Sequence, residues 1–418
     1  MLRFEHGIGG PEVDDSQSPP IPTGKSFSAE FYVPATAPLS NPPVLSVSME
    51  TWCEWMAERG HPAYRARQVL DWIMRRRAQS FDLMSDLPKH LREELNREWS
   101  VFGTYVAYHD IAPDGTDKLV LECRDSRRVE CVLMAEASRR TVCLSTQVGC
   151  GMGCVFCASG LKGVERNLCV DEILEQVLHL RNLLPPDETV THIVVMGMGE
   201  SLANLDNLVA ALDRVCAADH GLGISQRRVT ISTVGLPEKI RKLAALDRQY
   251  HLAVSLHAPT EALRNTLVPV NEAIGLGAVI AAADAYFEQT GRQVTYEYVL
   301  LRGVNDRAAD ATALGRLLAT RQAHVNLIPY NPVAGLLFER PDVETIGQFL
   351  AILRNWKVSA TVRKTKGRAI DAACGQLRRR IGRDLEGDQV LAGDPGVKTD
   401  PSLATIAVNH LSRSIGLP

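Results

Sequence analysis

Several things are missing from this chain of 418 residues, and each absence removes a class of protein. No apolar run is long enough to cross a bilayer, so a membrane-spanning helix is not expected. The first ten residues carry Arg3, Glu5 and His6 and lack an apolar core, so no secretory leader is expected there. Cationic excess is missing too. The formal net charge is −3 and the pI about 6.4, which excludes a generally basic nucleic-acid binder and leaves RNA contact to local patches. Pairs of cysteines at zinc-finger spacing do not recur along the chain, so a structural zinc module lacks its second half. Residues 1–44 lack apolar periodicity and are rich in Pro, Ser and Gly, which predicts a disordered extension.

What is present is otherwise ordinary. Hydrophobic residues make up 45% and charged residues 23%, the balance of a globular protein with two or three domains or one barrel with additions. The ten cysteines are therefore expected in a reducing cytoplasm, where ligand and catalytic roles outrank structural disulfides.

Three of those cysteines stand within eight residues, Cys150, Cys154 and Cys157, spaced C-x3-C-x2-C. Thiolates select zinc, copper(I) or iron–sulfur clusters. A closed zinc site wants four ligands, whereas three suit a cluster with one open iron. Gly151 and Gly153 let the loop wrap around a ligand. A zinc knuckle, or three unrelated buried cysteines, is the plainer alternative.

Around this loop the pattern divides. Residues 45–107 read as a helical module, with Trp52, Trp55, Met56, Tyr64, Val69, Leu70, Ile73, Leu83, Leu87, Leu91 and Leu95 at helical spacing. Arg65, Arg67, Arg75, Arg76, Arg77, Lys89 and Arg92 run between them. They form either a solvated face or a surface for RNA phosphates. Residues 108–139 read as a β-hairpin linker, with strands Lys118–Cys123 and Val129–Leu133. Across 140–366, strand-like runs at Thr141–Thr146, His192–Met196, Arg228–Ser232, His251–Leu256, Val294–Leu300 and His324–Ile328 alternate with amphipathic helices. A last helix at Val343–Trp356 precedes a further strand-like run, Val358–Val362. That alternation predicts an α/β fold, a partial (β/α)6 barrel, with an open doubly wound sheet as the alternative. Residues 367–385 form a segment around Cys374, and 386–418 are expected to be a loose tail.

Chemistry in such barrels sits at the C-terminal ends of the strands. The cysteine loop, Gly197-Met198-Gly199-Glu200, Ser232, Ser255 with His257, and Asn331 all fall at such ends. Cys374 lies among small residues between Arg363-Lys364-Thr365-Lys366-Gly367-Arg368 and Arg378, Arg379, Arg380, which raises a reactive thiol to the level of a buried filler.

These motifs resemble a known family. The cysteine spacing with Phe156 before the last cysteine is similar to the signature of radical S-adenosylmethionine (SAM) enzymes. Val142–Cys150, Met196–Glu200, Ser255–Pro259 and Asp371–Leu377 resemble the RlmN/Cfr family of radical SAM RNA methyltransferases, as do Tyr64–Gln68 and Gly115–Lys118. The likeness runs from about Val47 to Gln376 and leans to the RlmN branch. It implies a 4Fe-4S cluster on Cys150, Cys154 and Cys157 and SAM binding by Gly199, Glu200, Ser232, Ser255, Leu256, His257 and Asn331. Two SAM molecules would be used per turnover. Cys374 would be methylated on sulfur, Cys143 would be the second catalytic cysteine, and Glu130 the proton acceptor. A transient Cys143–Cys374 disulfide would form during turnover.

The implied activity is methylation of adenosine C2, in the peptidyl-transferase loop of 23S rRNA and 3′ to the anticodon of some tRNAs. A one-electron donor such as flavodoxin would serve a monomeric enzyme. The rivals are methylation at C8, as in the Cfr branch, and more remotely a glycyl-radical activase. Arg75, Arg76, Arg77 and the Arg363–Arg380 clusters are then the expected RNA-facing groups. Ser201 stands where the family usually has proline.

Overall fold

The computed structural model describes residues 41–377. Residues 1–40 of the expected extension lie outside the described residues, and its last four residues, 41–44, fall within them. Pro43 bridges to Ser100, and Val44 and Leu45 are buried because Trp52 donates its indole N–H to the Val44 carbonyl at 2.8 Å. The tail at 386–418 and Arg378, Arg379 and Arg380 lie outside the described residues.

Three helices form the N-terminal module: α1 (Met49–Glu58), α2 (Tyr64–Met74) and α3 (Lys89–Glu98). Ser48 caps α1 by accepting from the Thr51 amide. Trp52 and Trp55 pack with Trp99, ring centroids 4.7 and 6.2 Å away, to form the module's core. Two residues of the apolar stripe point outward instead. Tyr64, at the first turn of α2, lies against the Arg65 guanidinium, and Leu83 sits in a short turn where Phe81 fills the buried slot.

The expected hairpin linker is a three-stranded antiparallel meander, β1 (Tyr105–Ile111), β2 (Thr116–Glu122) and β3 (Arg128–Glu136). It is no linker, because β3 pairs with β4 (Arg139–Cys143) and so joins the main sheet. β1 escapes a periodicity reading because polar residues occupy both of its faces.

After β4 comes a ribbon, β5 (Gln147–Gly149) with β6 (Val164–Asn167), that frames the cysteine loop. Then β7 (His192–Val195), β8 (Val229–Thr233), β9 (His251–Ser255), β10 (Val294–Leu300), β11 (Ala323–Pro329) and β12 (Ser359–Val362) follow β4 in unbroken parallel order. The helices are α4 (Val170–Asn182), α5 (Leu205–Cys216), α6 (Pro237–Ala244), α7 (Glu261–Leu267), α8 (Asn271–Ile274), α9 (Leu276–Thr290), α10 (Ala308–Leu318) and α11 (Val343–Asn355). Neighbouring parallel strands need such crossovers. The result is a curved parallel sheet of partial-barrel type, extended at one edge by the meander and continued past β11 by β12.

The helical module is fastened to this sheet. Arg77 donates to the carbonyls of Leu184 and Pro185 at 2.6 and 3.1 Å and also to that of Glu188. Arg75 donates to Ala218 O at 2.6 Å, and buried Arg181 donates back to Ile73 and Met74 at the end of α2. Arg76 pairs with Asp71 and Asp86. Of the three arginines expected to face RNA, Arg77 is thus spent within the protein, while Arg75 and Arg76 keep exposed surface. An arginine beside unpaired helix-end carbonyls finds its partners within the protein.

Candidate functional site

The loops after β4 and β7 are knitted together first. Ser145 donates from its hydroxyl to the Glu130 carbonyl at 2.6 Å and accepts from the Met198 amide at 2.8 Å. Gly199 has φ +103°, and a Cβ there would stand 2.8 Å from the Gln147 nitrogen, so the loop requires glycine. Ser201 fits in place of proline because its hydroxyl donates to Val195 O at 3.2 Å.

These loops wall a cavity of about 920 Å³, counting space open to solvent, at the C-terminal ends of the strands. Cys150, Cys154 and Cys157 line one side. Glu200, Ser232, Ser255, His257 and Asn331 line the rest, with Gly199. Leu256 stands between two of these lining residues. Its side chain is fully buried away from the cavity, because neighbours along an extended chain face opposite ways.

Glu200 is held from two directions, accepting from Leu202 N at 3.0 Å and Val234 N at 2.9 Å. Burial pushes its carboxyl up, and these donors oppose that. Ser232 and Ser255 hydroxyls lie 3.3 Å apart. His257 Nδ1 accepts from the Val299 amide at 3.1 Å, which places its proton on Nε2. Burial and then the Arg264 charge lower its pKa to about 3, so the ring is neutral. Arg264, fully buried and missed by sequence reasoning, donates to the carbonyls of Leu256, Ser255 and Val234 and so ties β8 and β9 beneath the cavity.

The three thiols fit a cluster. Burial raises the pKa of each, Cys150 to about 11, and Cys150 and Cys154 are each raised further by charge on another cysteine of the set. A buried thiolate group of this kind needs a cation to be stable. Among the described residues no three Cys, His, Asp or Glu side chains converge closely enough for a single metal ion. Three thiols along one cavity wall suit the Cys ligation of an iron–sulfur cluster.

A second cavity of about 1610 Å³, again counting open space, adjoins the first inside the barrel. Cys143, Arg139, Glu297, Asn326, Lys364 and Lys366 line it. Cys374, Asn331, Glu297 and Arg363 line both cavities. Arg363 is thus turned into the barrel, contacting Met196 Sδ at 3.5 Å. Its charge is favoured first by Cys374, then by Glu297 and Cys143. Burial pushes Cys143 up to about 12, and Arg363 pulls it back. Glu297, buried and bonded to Asn326 at 2.8 Å, was also missed. Its one sequence signal is a lone charge in the middle of an apolar strand.

Cys374 is half-buried, its carbonyl accepting from Asn331 Nδ2 at 3.2 Å. The next carbonyl, of Gly375, accepts from Ala158 N at 2.8 Å, directly after the cysteine loop. All ten cysteines are free, so the expected Cys143–Cys374 bond is not formed in this structure. Glu130 is buried on β3, on the same face as Val132 and Met134 of the second cavity and one step closer to the loops. Lys118 Nζ stands 3.5 Å from its carboxylate.

A parallel partial barrel with three thiols on the wall of a cavity at its strand ends defines a radical SAM enzyme, and residues 144–314 match the radical SAM superfamily. Residues 44–101 match the ribosomal RNA large subunit methyltransferase N-terminal domain. The chain is 50% identical over 348 residues to the probable dual-specificity RNA methyltransferase RlmN of Rhodopirellula baltica, covering 83% of this chain and 93% of that one. It is 42% identical over 337 residues to the protein of the same description from Clostridium perfringens strain 13, covering 80% and 96%. A crystal structure of a radical SAM methyltransferase from Sphaerobacter thermophilus superposes with TM-score 0.78 at 42% identity, covering 81% and 99%. The chain belongs to the RlmN family of radical SAM RNA methyltransferases.

Proposed function

We propose that the chain methylates C2 of one adenosine in the peptidyl-transferase loop of 23S rRNA and of the adenosine 3′ to the anticodon in some tRNAs. The carrying observation is that Cys374 stands in the walls of both cavities, one bearing the cluster cysteines and the other bearing Cys143. The relatives are described as dual-specificity RNA methyltransferases, which supports two RNA substrates.

On this reading Cys150, Cys154 and Cys157 hold a 4Fe-4S cluster, and Gly199, Glu200, Ser232, Ser255, His257 and Asn331 hold SAM. When bound, the cluster and SAM, primed by an electron from a donor such as flavodoxin, would supply a carbon-centred radical route to an sp2 carbon too electron-poor for ordinary displacement, and the cluster would take back the one electron left on the adduct when the ring proton departs. Cys374 first takes a methyl group from one SAM, and a second SAM is spent on the radical step. Sulfur next to the reacting carbon stabilises it, which a serine oxygen would not do as well. The target adenine, splayed from its loop, enters the second cavity and becomes bonded through the former methyl carbon to Cys374. Glu130 takes the ring proton. Cys143 thiolate then attacks the Cys374 sulfur: an S–S bond forms, the S–C bond breaks, and its electron pair stays on the carbon, which is protonated to the methyl group. The neutral His257 and the buried Glu200 offer a donor and an acceptor to SAM without adding net positive charge. The enzyme works as a monomer in the cytoplasm.

The test is a pair of substitutions. Cys374→Ala is expected to abolish methylation without any RNA–protein adduct, and Cys143→Ala to accumulate that adduct. Normal turnover by Cys143→Ala would refute the mechanism. Mass spectrometry of the product nucleoside finding methyl on C8 would move the activity to the rival position.

A further inference from the structure

Lys118, in the middle of β2, has no exposed surface. A buried ammonium is costly unless oxygens surround it. Three do, each from a different segment. The Ile370 carbonyl accepts from Nζ at 2.5 Å, Glu130 Oε1 lies at 3.5 Å and Asp110 Oδ2 at 3.6 Å. Strand register explains two of these. Lys118 stands opposite Asp110 on β1 and Val132 on β3, which makes Glu130 its diagonal neighbour on the same face.

The third partner is not explained by the meander. Ile370 lies four residues before Cys374 in a segment reached through the whole barrel. The same segment is pinned a second time, where Gly367 N donates to Asp114 Oδ2 at 2.9 Å in the β1–β2 turn. On its far side it is held by Ala158 N on Gly375 O and by Ser159 Oγ on Leu377 O at 2.6 Å. Cys374 is therefore carried on a strap stretched between the cysteine loop and the meander that bears Glu130. An apolar side chain at position 118 could not join strap to carboxylate.

We propose that Lys118 is a positioning residue that couples docking of the Cys374 strap to placement of the Glu130 carboxylate. One ammonium faces both the Ile370 carbonyl and the carboxylate, so seating of the strap bears on where the carboxylate is aimed. This rests on the reading in which Cys374 carries the methyl carbon and Glu130 takes the ring proton.

The test uses the full chain with its cluster reconstituted, as wild type, Lys118→Met and Lys118→Arg, with Lys118→Gln in place of the methionine variant if that fails to fold. Amide hydrogen exchange over 367–377, read without RNA, is expected to quicken by about tenfold in Lys118→Met and to be largely restored in Lys118→Arg, as befits loss of one charged hydrogen bond. Methylation of RNA deuterated at the target carbon is expected to show a larger isotope effect and a longer-lived adduct in Lys118→Met than in wild type. Unchanged exchange with methylation intact overturns the strap latch. Faster exchange with a wild-type isotope effect and adduct lifetime overturns the coupling to Glu130. No methylation by the wild-type chain overturns the functional reading and the coupling with it, whatever the exchange shows.

Discussion

His179 illustrates how much one buried side chain can decide. It lies on α4 with Nε2 3.1 Å from the Thr104 hydroxyl, which also donates to Glu175 Oε2 at 2.7 Å. Gly103 and Thr104 amides complete the carboxylate's shell at 2.8 and 2.7 Å. This cluster joins the chain leaving the helical module to the first barrel helix. Burial lowers the His179 pKa from 6.5 to about 4, with the Arg181 charge adding to it. A depressed histidine binds fewer protons folded than unfolded. Its contribution is full above pH 6.5 and is lost as pH falls through about 4. A shift of that size corresponds to about 3 kcal/mol. Thermal melts are expected to show a shallower loss of stability between pH 6.5 and 4 in His179→Leu than in wild type, and equal slopes would exclude His179 as the cause.

At the scale of elements, α2 is held by its end. Arg77 satisfies three carbonyls of the 184–188 turn, and burial lowers its pKa, the mark of a desolvated cation rather than a solvated one waiting for phosphate. Arg77→Ala strands those carbonyls, and calorimetry is expected to show a loss of about 2–3 kcal/mol with RNA affinity close to wild type. A fall in RNA affinity with an unchanged melting temperature would return α2 to the RNA face. The element with the clearest catalytic consequence is the strap around Cys374. Its short-range sequence, Asp371-Ala372-Ala373-Cys374-Gly375, marks a close-packed thiol, but its anchors on Asp114, Lys118, Ala158 and Ser159 come from two other regions of the chain.

For the whole molecule, a net charge of −3 means that RNA binding has no general attraction behind it. Among the described residues, Arg139, Lys364 and Lys366 gather at the second cavity. If this is where the nucleic acid enters, log affinity against log salt has a modest negative slope. Lys364→Ala and Lys366→Ala each make it shallower by about one unit. Titrations at several salt concentrations read this directly, and unaltered slopes in both variants would place the RNA elsewhere.

Some of this could be read from the order of residues alone. Alternating runs such as Val294–Leu300 and Leu276–Thr290 carry their period within themselves, so the barrel, its strand ends and the thiol loop at Cys150–Cys157 were legible locally. β1 was not, because polar residues such as His109 and Asp110 break its alternation, nor were the tasks of the charged residues. Arg75, Arg77 and Arg363 look alike in a linear reading, yet two cap carbonyls across a seam and the third stands between Glu297 and two cysteines. Lys118 reads as the polar start of a strand and Glu297 as an interruption of one, and folding makes the first the junction of three segments and the second part of the wall of two cavities. Periodicity is a property of neighbours a few residues apart, whereas the partner of a buried charge is chosen by whichever distant oxygen the closed sheet brings within reach.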